Sequence, residues 1–593
     1  MRLSVLFATV FISACGGGTL ESTDAAGGGG GTDGRTSDSG GSGGSGGSSG
    51  SGGSGGSMLI PADRTTTWEP GILSDMPLGL PLGTDGLPQR TTVCATVNPG
   101  GNIQAAIDSC PANQVVLLGA GTFDIGTTIQ LKSNVVLRGA GSGTGGTIIN
   151  KTNGGTVLAI GSERDQICYS GNGQGHALTA DAGKESRVLT LGSAASTFNP
   201  GDLVWIDQLD VSPVVTGDCQ YFKRHDADGY RSLVQVDEVA SVDTANGTVT
   251  LSTPLHWTFK AGGTTKAQIV RMAASPTVRW AGIEKLHLTG GTEGAYPGQA
   301  AGGIDISNAA YCWVKDVQTD QTIGGMHVRL GGTYRCVVRD GYFHHSANYG
   351  FGLDCYGIVL GCGSADLLVE NNIVRYMNKP ILFSVSGGGN VIGYNYVDNS
   401  WADNDWQEVN IDSHCSFSHM ELIEGNLAPH VGATSTHGNA GYFTFLRNYH
   451  SSHFADPSVA DSSLPRGNNI TALELQGAAA GMNVAACVLG QQGITHEFDN
   501  FTSSSTGAIY ELGQGNFGQG QNDPSFTTLF RTGNYDYAHN ATQWMGTPVP
   551  LPASLYLQGA PAWWPQSMAW PWIGPDLSPM VQTLPAKARS DAM

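Results

Sequence analysis

The sequence predicts an all-β solenoid, a parallel β-helix, and three observations support this. A phrase of one apolar residue, two mostly polar residues and a turn residue recurs between Ile283 and Tyr449, and its fourth positions lie 31, 24, 31, 23, 31 and 22 residues apart. Such a period is typical of stacked supersecondary units. Short β-rich runs separate the phrases, and no amphipathic segment of helix length occurs there. Asparagine tolerates tight turns and can bond to amides above and below, and it fills four consecutive fourth positions: Asn372, Asn395, Asn426 and Asn448.

The N-terminus predicts export to the bacterial surface. Arg2 precedes an apolar run that ends in Ile12-Ser-Ala-Cys15, which resembles a bacterial lipobox. We expect residues 1–15 to be a lipoprotein signal peptide whose Cys15 is lipidated, the alternative being an ordinary signal with a chance cysteine. Residues 16–57 are a Gly/Ser-rich tether with a reach of about 35 Å. The protein is therefore expected to be lipid-anchored to the outer membrane or cell surface, and a membrane contact is expected through that anchor only.

The remaining chain divides by composition. Asn102 is expected to cap a short helix that ends at Ser109 and covers the open end of the solenoid. The periodic phrase is lost where hairpin-like runs appear, one of them around Asn246-Gly247. The predicted parts are a lead-in, cap and first coils over 58–160, a β-rich insertion over 161–275, the main β-helix over 276–557, and a Trp/Pro-rich cap and tail over 558–593.

Composition narrows the partners. The chain has 87 glycines, 13% charged residues and a formal net charge of −20, which fits a turn-rich β protein. An acidic chain is not expected to bind nucleic acid, and it repels polyanions at long range. An anionic polysaccharide would therefore need a local basic cluster or a bridging cation such as calcium. No other cofactor is predicted, and we expect a monomer.

Cysteine spacing predicts disulfides. Ten cysteines remain without Cys15, an even number in an exported chain. Cys312 and Cys336 each lie five residues before a fourth position, so they occupy one column on coils about 4.8 Å apart, which a disulfide accepts. Local pairs are expected for Cys94 with Cys110 and Cys355 with Cys362. Pairing stays open for the remaining cysteines: Cys168, Cys219, Cys415 and Cys487.

Two further segments carry a family resemblance. The first is Asn102–Cys110 with Val115–Phe123 and Asn134–Gly141, and the second is Leu551–Leu557 with Trp570–Pro575. Together with the asparagine column, they resemble the right-handed β-helix proteins of the pectate-lyase and pectin-lyase-like superfamily, of the bacterial surface lipoprotein type. The resemblance spans roughly Cys94 to Pro575. It implies a right-handed coil and a polysaccharide partner, and it does not choose the reaction.

Alternation of side chains predicts a groove on the outside of the coils. If Ile304, Met326, Val328 and Ile381 point inward, their polar neighbours point outward to solvent. The residues predicted to be catalytic are His327, Arg329, Asp354, Asp412 and His414. Asp305 and Asn410 on the same strands are predicted to bind substrate. A second column, three to four residues after the fourth positions, is predicted to form one wall of the groove and to bind substrate as well: His344, His345, Arg375, Asp398 and His430.

Three functions remain compatible with this groove. A lyase that cleaves a uronate-containing polysaccharide by β-elimination would use Arg329, Arg375 or calcium to neutralise the uronate, and His327 or His414 as base. This is the function we predict. A glycoside hydrolase would instead use Asp354 and Asp412. The third alternative is a surface β-helix that binds polysaccharide or acts as an adhesin without catalysis.

Overall fold

A computed structural model defines the structure of most of the chain. It describes residues 59–73, 81–83, 85–161, 175–217, 224–272, 277–292, 301–320, 322–347, 356–402, 406–453, 468–502 and 506–593. The expected signal peptide, Cys15 and the tether lie outside these ranges, as do Cys168 and Cys219. Within the described ranges, no helix has the length and hydropathy that crossing a membrane requires.

The described chain forms a right-handed parallel β-helix. One face of the coil is a parallel sheet, here called sheet A, in which each strand pairs with the equivalent strand of the next coil. Inward residues such as Ile304, Val328 and Ile381 form the core. The strands of sheet A are Ile129–Leu131, Leu158–Gly161, Ala301–Ser307, Met326–Gly331, Tyr356–Gly361, Lys379–Ser384, Ile411–His414, Val431–Ala433, Ile470–Leu475, Glu497–Asn500 and Thr506–Leu512.

The other two faces of the coil contain the remaining strands of the β-helix. Most of them join into one large sheet: Val93–Val97, Gln114–Leu118, Gly121–Ile125, Val135–Arg138, Thr147–Lys151, Gly282–Thr289, Trp313–Thr319, Val337–Arg339, Tyr342–His344, Leu368–Glu370, Ile373–Met377, Val391–Gly393, Tyr396–Ala402, Trp406–Gln407, Leu422–Glu424, Thr444–Leu446, Asn483–Ala485 and Phe530–Thr532. Smaller groups are Tyr449–His450, Val488–Leu489, Asn534–Asp536 and Ala541–Gln543, and the pair Val278–Arg279 with Ala309–Ala310.

The asparagine column is a hydrogen-bonded ladder at one corner. Asn372, Asn395 and Asn426 each donate from Nδ2 to Oδ1 of the asparagine on the next coil, at 3.0, 3.0 and 3.1 Å. All are buried. The left-handed backbone expected at these positions falls instead on the preceding residue, for example Tyr394 with φ 56°. The asparagines are therefore selected by their side-chain bonds, because the strained turn conformation belongs to their neighbours.

A short helix covers the first coil as predicted. Helix α1 spans Ile103–Ser109, and the Asn102 side chain accepts a hydrogen bond from the Ala105 N–H at 2.9 Å. Ile103 and Ile107 face the core. The Cys94–Cys110 disulfide is present, with a Cα separation of 5.6 Å, and it ties the first strand to the end of this helix.

The pairing expected for Cys312 and Cys336 is wrong. Trp313 and Val337 are register partners, so the cysteines before them do lie on adjacent coils, but both are buried free thiols. Side chains stacked in one column point the same way, so their Cβ atoms stay about 4.8 Å apart, whereas a disulfide draws its Cβ atoms to about 3.5 to 4.5 Å. Cys362 and Cys415 each belong to a disulfide, but they are not bonded to each other. Cys355, the partner predicted for Cys362, lies outside the described residues. Cys487 is a third free thiol.

The insertion folds as a sheet beside the β-helix. Its strands are His176–Ala177, Val188–Thr190, Leu203–Gln208, Leu233–Asp243, Thr248–Leu251 and Gln268–Arg271, with a hairpin of Arg224–Asp226 and Gly229–Arg231. One face forms its own core. The other face, through Trp205 and Val234, packs on Val359 and Leu382 of sheet A. The insertion therefore covers part of the outer face of sheet A.

The C-terminal tail covers a different face. Trp572 donates to the Gly425 carbonyl at 2.7 Å, and Arg447 holds both carboxylate oxygens of Asp576 at 2.8 Å. The tail thus lies along the flank of several coils rather than on the last coil alone. Helical segments elsewhere are α2 (Pro524–Thr527), α3 (Pro585–Asp591) and the 3-10 turns Ala62–Arg64, Gly192–Thr197 and Gly520–Asn522.

Candidate functional site

The outward side chains predicted to form an exposed groove are mostly buried. His327 has 0% of its surface exposed and Arg329 has 1%. The same holds for most of the other predicted residues: Asp305, Asp398, Asn410, Asp412 and His430. The expectation of solvent exposure was therefore wrong, because segments distant in sequence pack over the outer faces of the coils.

Arg329 belongs to a buried ion pair under the insertion. Its guanidinium lies 3.4 Å from the Asp305 carboxylate and donates to the Ser307 hydroxyl at 2.7 Å. The next residues in the same register are Val359 and Leu382, which the insertion covers. The structure thus places Arg329 and Asp305 in a buried contact and not in an exposed groove.

His327 lies apart from Arg329. The ladder shifts register between Ala301 and Ile304, and Met326 packs outward with Tyr356 instead of inward. His327 consequently turns toward the opposite corner, where its Nδ1 lies 2.7 Å from the Thr319 hydroxyl. Burial lowers its pKa to about 4. The predicted combination of His327 and Arg329 as base and cation is not assembled.

Val359 stands at the place in the outward register of sheet A that alternation predicted for Asp354. The coil strand begins at Tyr356, so Val359 stands between Arg329 and Leu382 in the outward register. Asp354 itself lies outside the described residues. A hydrolase pair of Asp354 and Asp412 therefore has no support from the strand register.

The second predicted column lies on another face of the coil. His344 and His345 approach each other at 2.8 Å between their Nδ1 atoms, and burial lowers the pKa of His344 to about 3. Arg375 lies 3.9 Å from the Asp398 carboxylate and donates to Ser590 of helix α3 at 3.1 Å. The tail helix therefore packs against Arg375 of this column. The two histidines lie nearer to His327, whose charge adds to the lowering of the His344 pKa.

One set of charged side chains does converge on the outer face of sheet A, and we call it the acid–base cluster: Lys379, Glu408, Asp412 and His414. The Lys379 ammonium contacts Glu408 Oε2 at 2.5 Å and Asp412 Oδ2 at 2.9 Å. His414 Nε2 lies 3.4 Å from the same Asp412 oxygen. Tyr356 is the register partner of Lys379, and its ring centroid is 6.2 Å from that of His414.

Strand geometry fixes this cluster. Asp412 and His414 alternate along the strand Ile411–His414, so both point outward. Lys379 begins the neighbouring strand and reaches across to them. Asp412 also accepts hydrogen bonds from the backbone N–H groups of Ser413 at 2.7 Å and Thr434 at 3.0 Å. The carboxylate is therefore held rigidly by groups on three coils.

The charges in the cluster are set by mutual contacts. Burial alone would raise the pKa of Asp412, but Lys379 and His414 outweigh it and hold that pKa well below its usual range. Burial would lower the pKa of Lys379, yet Asp412 and Glu408 raise it. Burial lowers the pKa of His414, and Asp412 only partly opposes this. At neutral pH the cluster therefore contains an ionised carboxylate, an ammonium and a neutral imidazole.

A second acid–base pair lies further along the solenoid. His430 Nε2 lies 3.1 Å from Glu474 Oε2, and the backbone N–H of His430 donates to Asn410 Oδ1 at 2.8 Å. Burial would raise the pKa of Glu474, but His430 lowers it on balance, and nearby Asp412 acts in the opposite direction. Glu474 occupies the same outward column as Asp412, with Gly432 between them.

Several of these residues escaped the sequence reasoning. Glu474 sits between two inward leucines in Leu473-Glu-Leu475, so alternation would have placed it outward. Lys379 and Tyr356 are the first residues of their strands. Alternation does not tell whether a side chain at the start of a strand points inward or outward. Glu408 carries no periodic signal. Within the described ranges, no group of three or more His, Cys, Asp and Glu residues is arranged to hold a metal ion. Calcium stays a prediction.

No family model matches the chain, and no curated protein matches it. Distant likenesses exist among solved structures. The tailspike protein gp49 from Pseudomonas phage LKA1 is 14% identical, with a TM-score of 0.40 over 73% of this chain and 71% of that chain. An alginate lyase from Paenibacillus is 10% identical, with a TM-score of 0.26 over 70% and 98%. PfbA, a surface adhesin of Streptococcus pneumoniae, is 9% identical, with a TM-score of 0.30 over 69% and 82%. At these values the likenesses carry no argument about activity.

Proposed function

We propose that the protein cleaves a uronate-containing polysaccharide by β-elimination at the acid–base cluster. One observation carries this proposal: a neutral imidazole, His414, is held by an ionised carboxylate beside an ammonium. β-Elimination needs a base that is unprotonated at working pH and a cation near the carboxylate of the sugar. These two groups come from separate coils and meet only in the folded chain.

The residues divide the reaction as follows. His414 accepts the proton on the carbon next to the uronate carboxylate, and Asp412 stabilises the imidazolium that results. Lys379 stabilises the negative charge that builds up on the sugar carboxylate. The electron pair forms a carbon–carbon double bond while the glycosidic carbon–oxygen bond breaks, and the leaving oxygen takes a proton from the Tyr356 hydroxyl. Proton transfer to His414 and charge stabilisation by Lys379 are each worth about 10² to 10³ in rate.

Glycoside hydrolysis is the second candidate, favoured by the sign of the charge. Glu408, Asp412 and Glu474 outnumber Lys379, and the neutral His414 adds nothing, so an uncharged sugar meets less repulsion than a uronate. Asp412 and Glu474 stand two coils apart, about 10 Å between backbones, close to the spacing of an inverting pair. Hydrolysis also needs a general acid with a raised pKa. Neither Asp412 nor Glu474 provides it, because the pKa values of both are lowered.

We further propose that the protein works as a monomer at the bacterial surface, tethered through a lipid on Cys15. The support is the lipobox-like sequence and the Gly/Ser-rich segment after it. Radiolabelled palmitate would be incorporated into the wild-type protein and not into Cys15→Ala. Label in both proteins would refute the anchor.

A polysaccharide panel tests the reaction. The protein is incubated with polygalacturonate, alginate and neutral glycans, and two products are followed: unsaturated sugar ends by ultraviolet absorbance, and reducing ends by a colorimetric assay. Elimination produces both signals, and hydrolysis produces reducing ends alone. Binding without either product would favour the non-catalytic surface protein.

The matched variants are His414→Ala and His496→Ala. His414 should lose at least a hundredfold in turnover with substrate affinity nearly kept, because it acts on the transferred proton. His496 is an exposed histidine outside the cluster, so its replacement should leave turnover unchanged. Equal activity in both variants would remove His414 from the reaction.

A further inference from the structure

A pocket opens where the insertion, the N-terminal lead-in and the β-helix meet, and none of its lining residues belongs to the acid–base cluster. Its volume is about 470 Å³, within the usual range for ligand sites. The insertion contributes Gln208, Trp257 and Lys260, and the β-helix contributes Tyr442. A cleft lined by three distant parts of the chain is a suitable place for a ligand site.

Hydrogen-bond donors without partners converge on this pocket. Gln208 is 4% exposed; its Oε1 accepts from the backbone N–H of Lys260 at 2.9 Å, while its Nε2 donates to no described residue. The indole N–H of half-buried Trp257 and the hydroxyl of half-buried Tyr442 likewise bond to no described residue. These donors are open to the pocket, so a ligand that enters it can accept hydrogen bonds from them.

The charge of the lining is also biased toward one sign. Lys260 is exposed and forms no ion pair with any described residue. Lys184 also lines the pocket, although its ammonium already donates to the carbonyls of Ala62 and Thr65. Burial lowers its pKa, and the nearby acids Glu185 and Asp63 partly oppose this. Asp63 is the single acid among the described lining residues, and it is exposed. Two lysines in one pocket stand out in a chain whose net charge is −20.

The aromatic groups supply a surface for a ring. Trp257 makes edge contacts with Tyr442 at 5.1 Å and with Phe417 at 5.8 Å between ring centroids, so it is fixed in place. An aromatic ring packs against the C–H face of a sugar, while surrounding donors bind its oxygen atoms. Unpaired donors and ammonium groups together select an acceptor-rich, negatively charged ligand.

We propose that this pocket is a binding site for an acidic sugar residue of a polysaccharide. The carboxylate lies against Lys260 and the Gln208 amide, and the sugar ring packs on Trp257. The assignment rests on the donors and charges of the pocket and does not require the acid–base cluster to be catalytic. It would hold the polymer at a second point on the protein and so raise its effective concentration at sheet A.

Calorimetric titration with oligogalacturonate and with its neutral methyl ester tests the site. The full chain carrying His414→Ala is used as background, so that cleavage cannot consume the probe. Gln208→Glu keeps the acceptor for the Lys260 N–H and replaces the donor with a negative charge. Lys260→Glu reverses the free ammonium. Each should weaken oligogalacturonate binding at least tenfold, because a charge-assisted hydrogen bond is lost and a repulsion is added.

Lys285→Glu is the matched control, since Lys285 is an exposed lysine that does not line the pocket. It should leave the affinity within twofold. The proposal is overturned if the methyl ester binds as tightly as the acid, if Lys285→Glu weakens binding as much as Lys260→Glu, or if oligogalacturonate does not bind. Turnover on polysaccharides is read separately, so failure of this site and failure of the cleavage reaction give different results.

Discussion

Replacing Lys379 with methionine removes the cation that two buried carboxylates share. The ammonium lies 2.5 Å from Glu408 and 2.9 Å from Asp412, and no more than 8% of any of the three side chains is exposed. Methionine keeps most of the length of the side chain but leaves both charges unpaired. Breaking a buried ion pair in this way costs about 3 to 5 kcal/mol.

This cost converts into a measurable melting shift. Unfolding entropy near 2.1 cal/mol/K per residue gives roughly 1 kcal/mol/K for about 500 residues. Lys379→Met should therefore lower the melting temperature by about 3 to 5 °C at pH 7, as read by calorimetry. Lys285→Met, which changes an exposed lysine, should not shift it measurably.

The pH dependence separates charge from packing. In the wild type the pKa of Asp412 is lowered, so the stability it contributes is present above the unfolded carboxyl pKa and is lost only as pH falls through the lower folded value. Without Lys379, the effect of burial, which raises the pKa of Asp412, is opposed less, so this carboxyl takes up a proton at a higher pH than in the wild type. The melting deficit of Lys379→Met should therefore shrink between pH 7 and about pH 4.5. An equal deficit at both pH values would show that the ammonium contributes packing alone.

Three further changes test the frame of the molecule. Asn395→Ala should lower stability by about 3 to 5 kcal/mol by denaturant unfolding, because it removes four side-chain hydrogen bonds of the ladder and leaves buried groups unpaired; no change would deny the ladder a stabilising role. Arg447→Met removes the bidentate contact to Asp576, so limited proteolysis should release the tail while the coils stay intact, and an uncut tail would refute that anchoring. Replacing Cys94 and Cys110 with alanine opens a link across a sequence separation of 16 and should cost about 3 kcal/mol, whereas an unchanged melting temperature would contradict this.

The fold was accessible from sequence because a solenoid repeats its constraints. Each coil must bury the same face and turn the same corner, so Asn372, Asn395 and Asn426 recur at matching places. Local rules also sufficed at the first coil, where Asn102 caps α1 and Cys94 meets Cys110. These features depend on neighbours within one or two coils.

The candidate site was accessible only in part. Asp412, His414 and Asn410 were named from alternation and His430 from the column after the fourth positions, and the structure brings them to the outer face of sheet A. Asp305 and Arg329 were named by the same rule, yet they form a covered ion pair. Alternation decides whether a side chain points into the coil. It does not decide whether solvent or another part of the chain lies outside.

The sequence by itself thus determined the coil, its asparagine corner and the inward or outward direction of most strand residues, because these follow from a backbone period. Only the tertiary structure decided which outward residues share a site. The insertion carries Trp205 onto Val359 and Leu382, a register shift turns His327 away from Arg329, and Lys379 reaches Glu408 and Asp412 from another coil. These contacts join residues tens to more than a hundred positions apart, and packing between distant surfaces leaves no periodic trace in a single sequence.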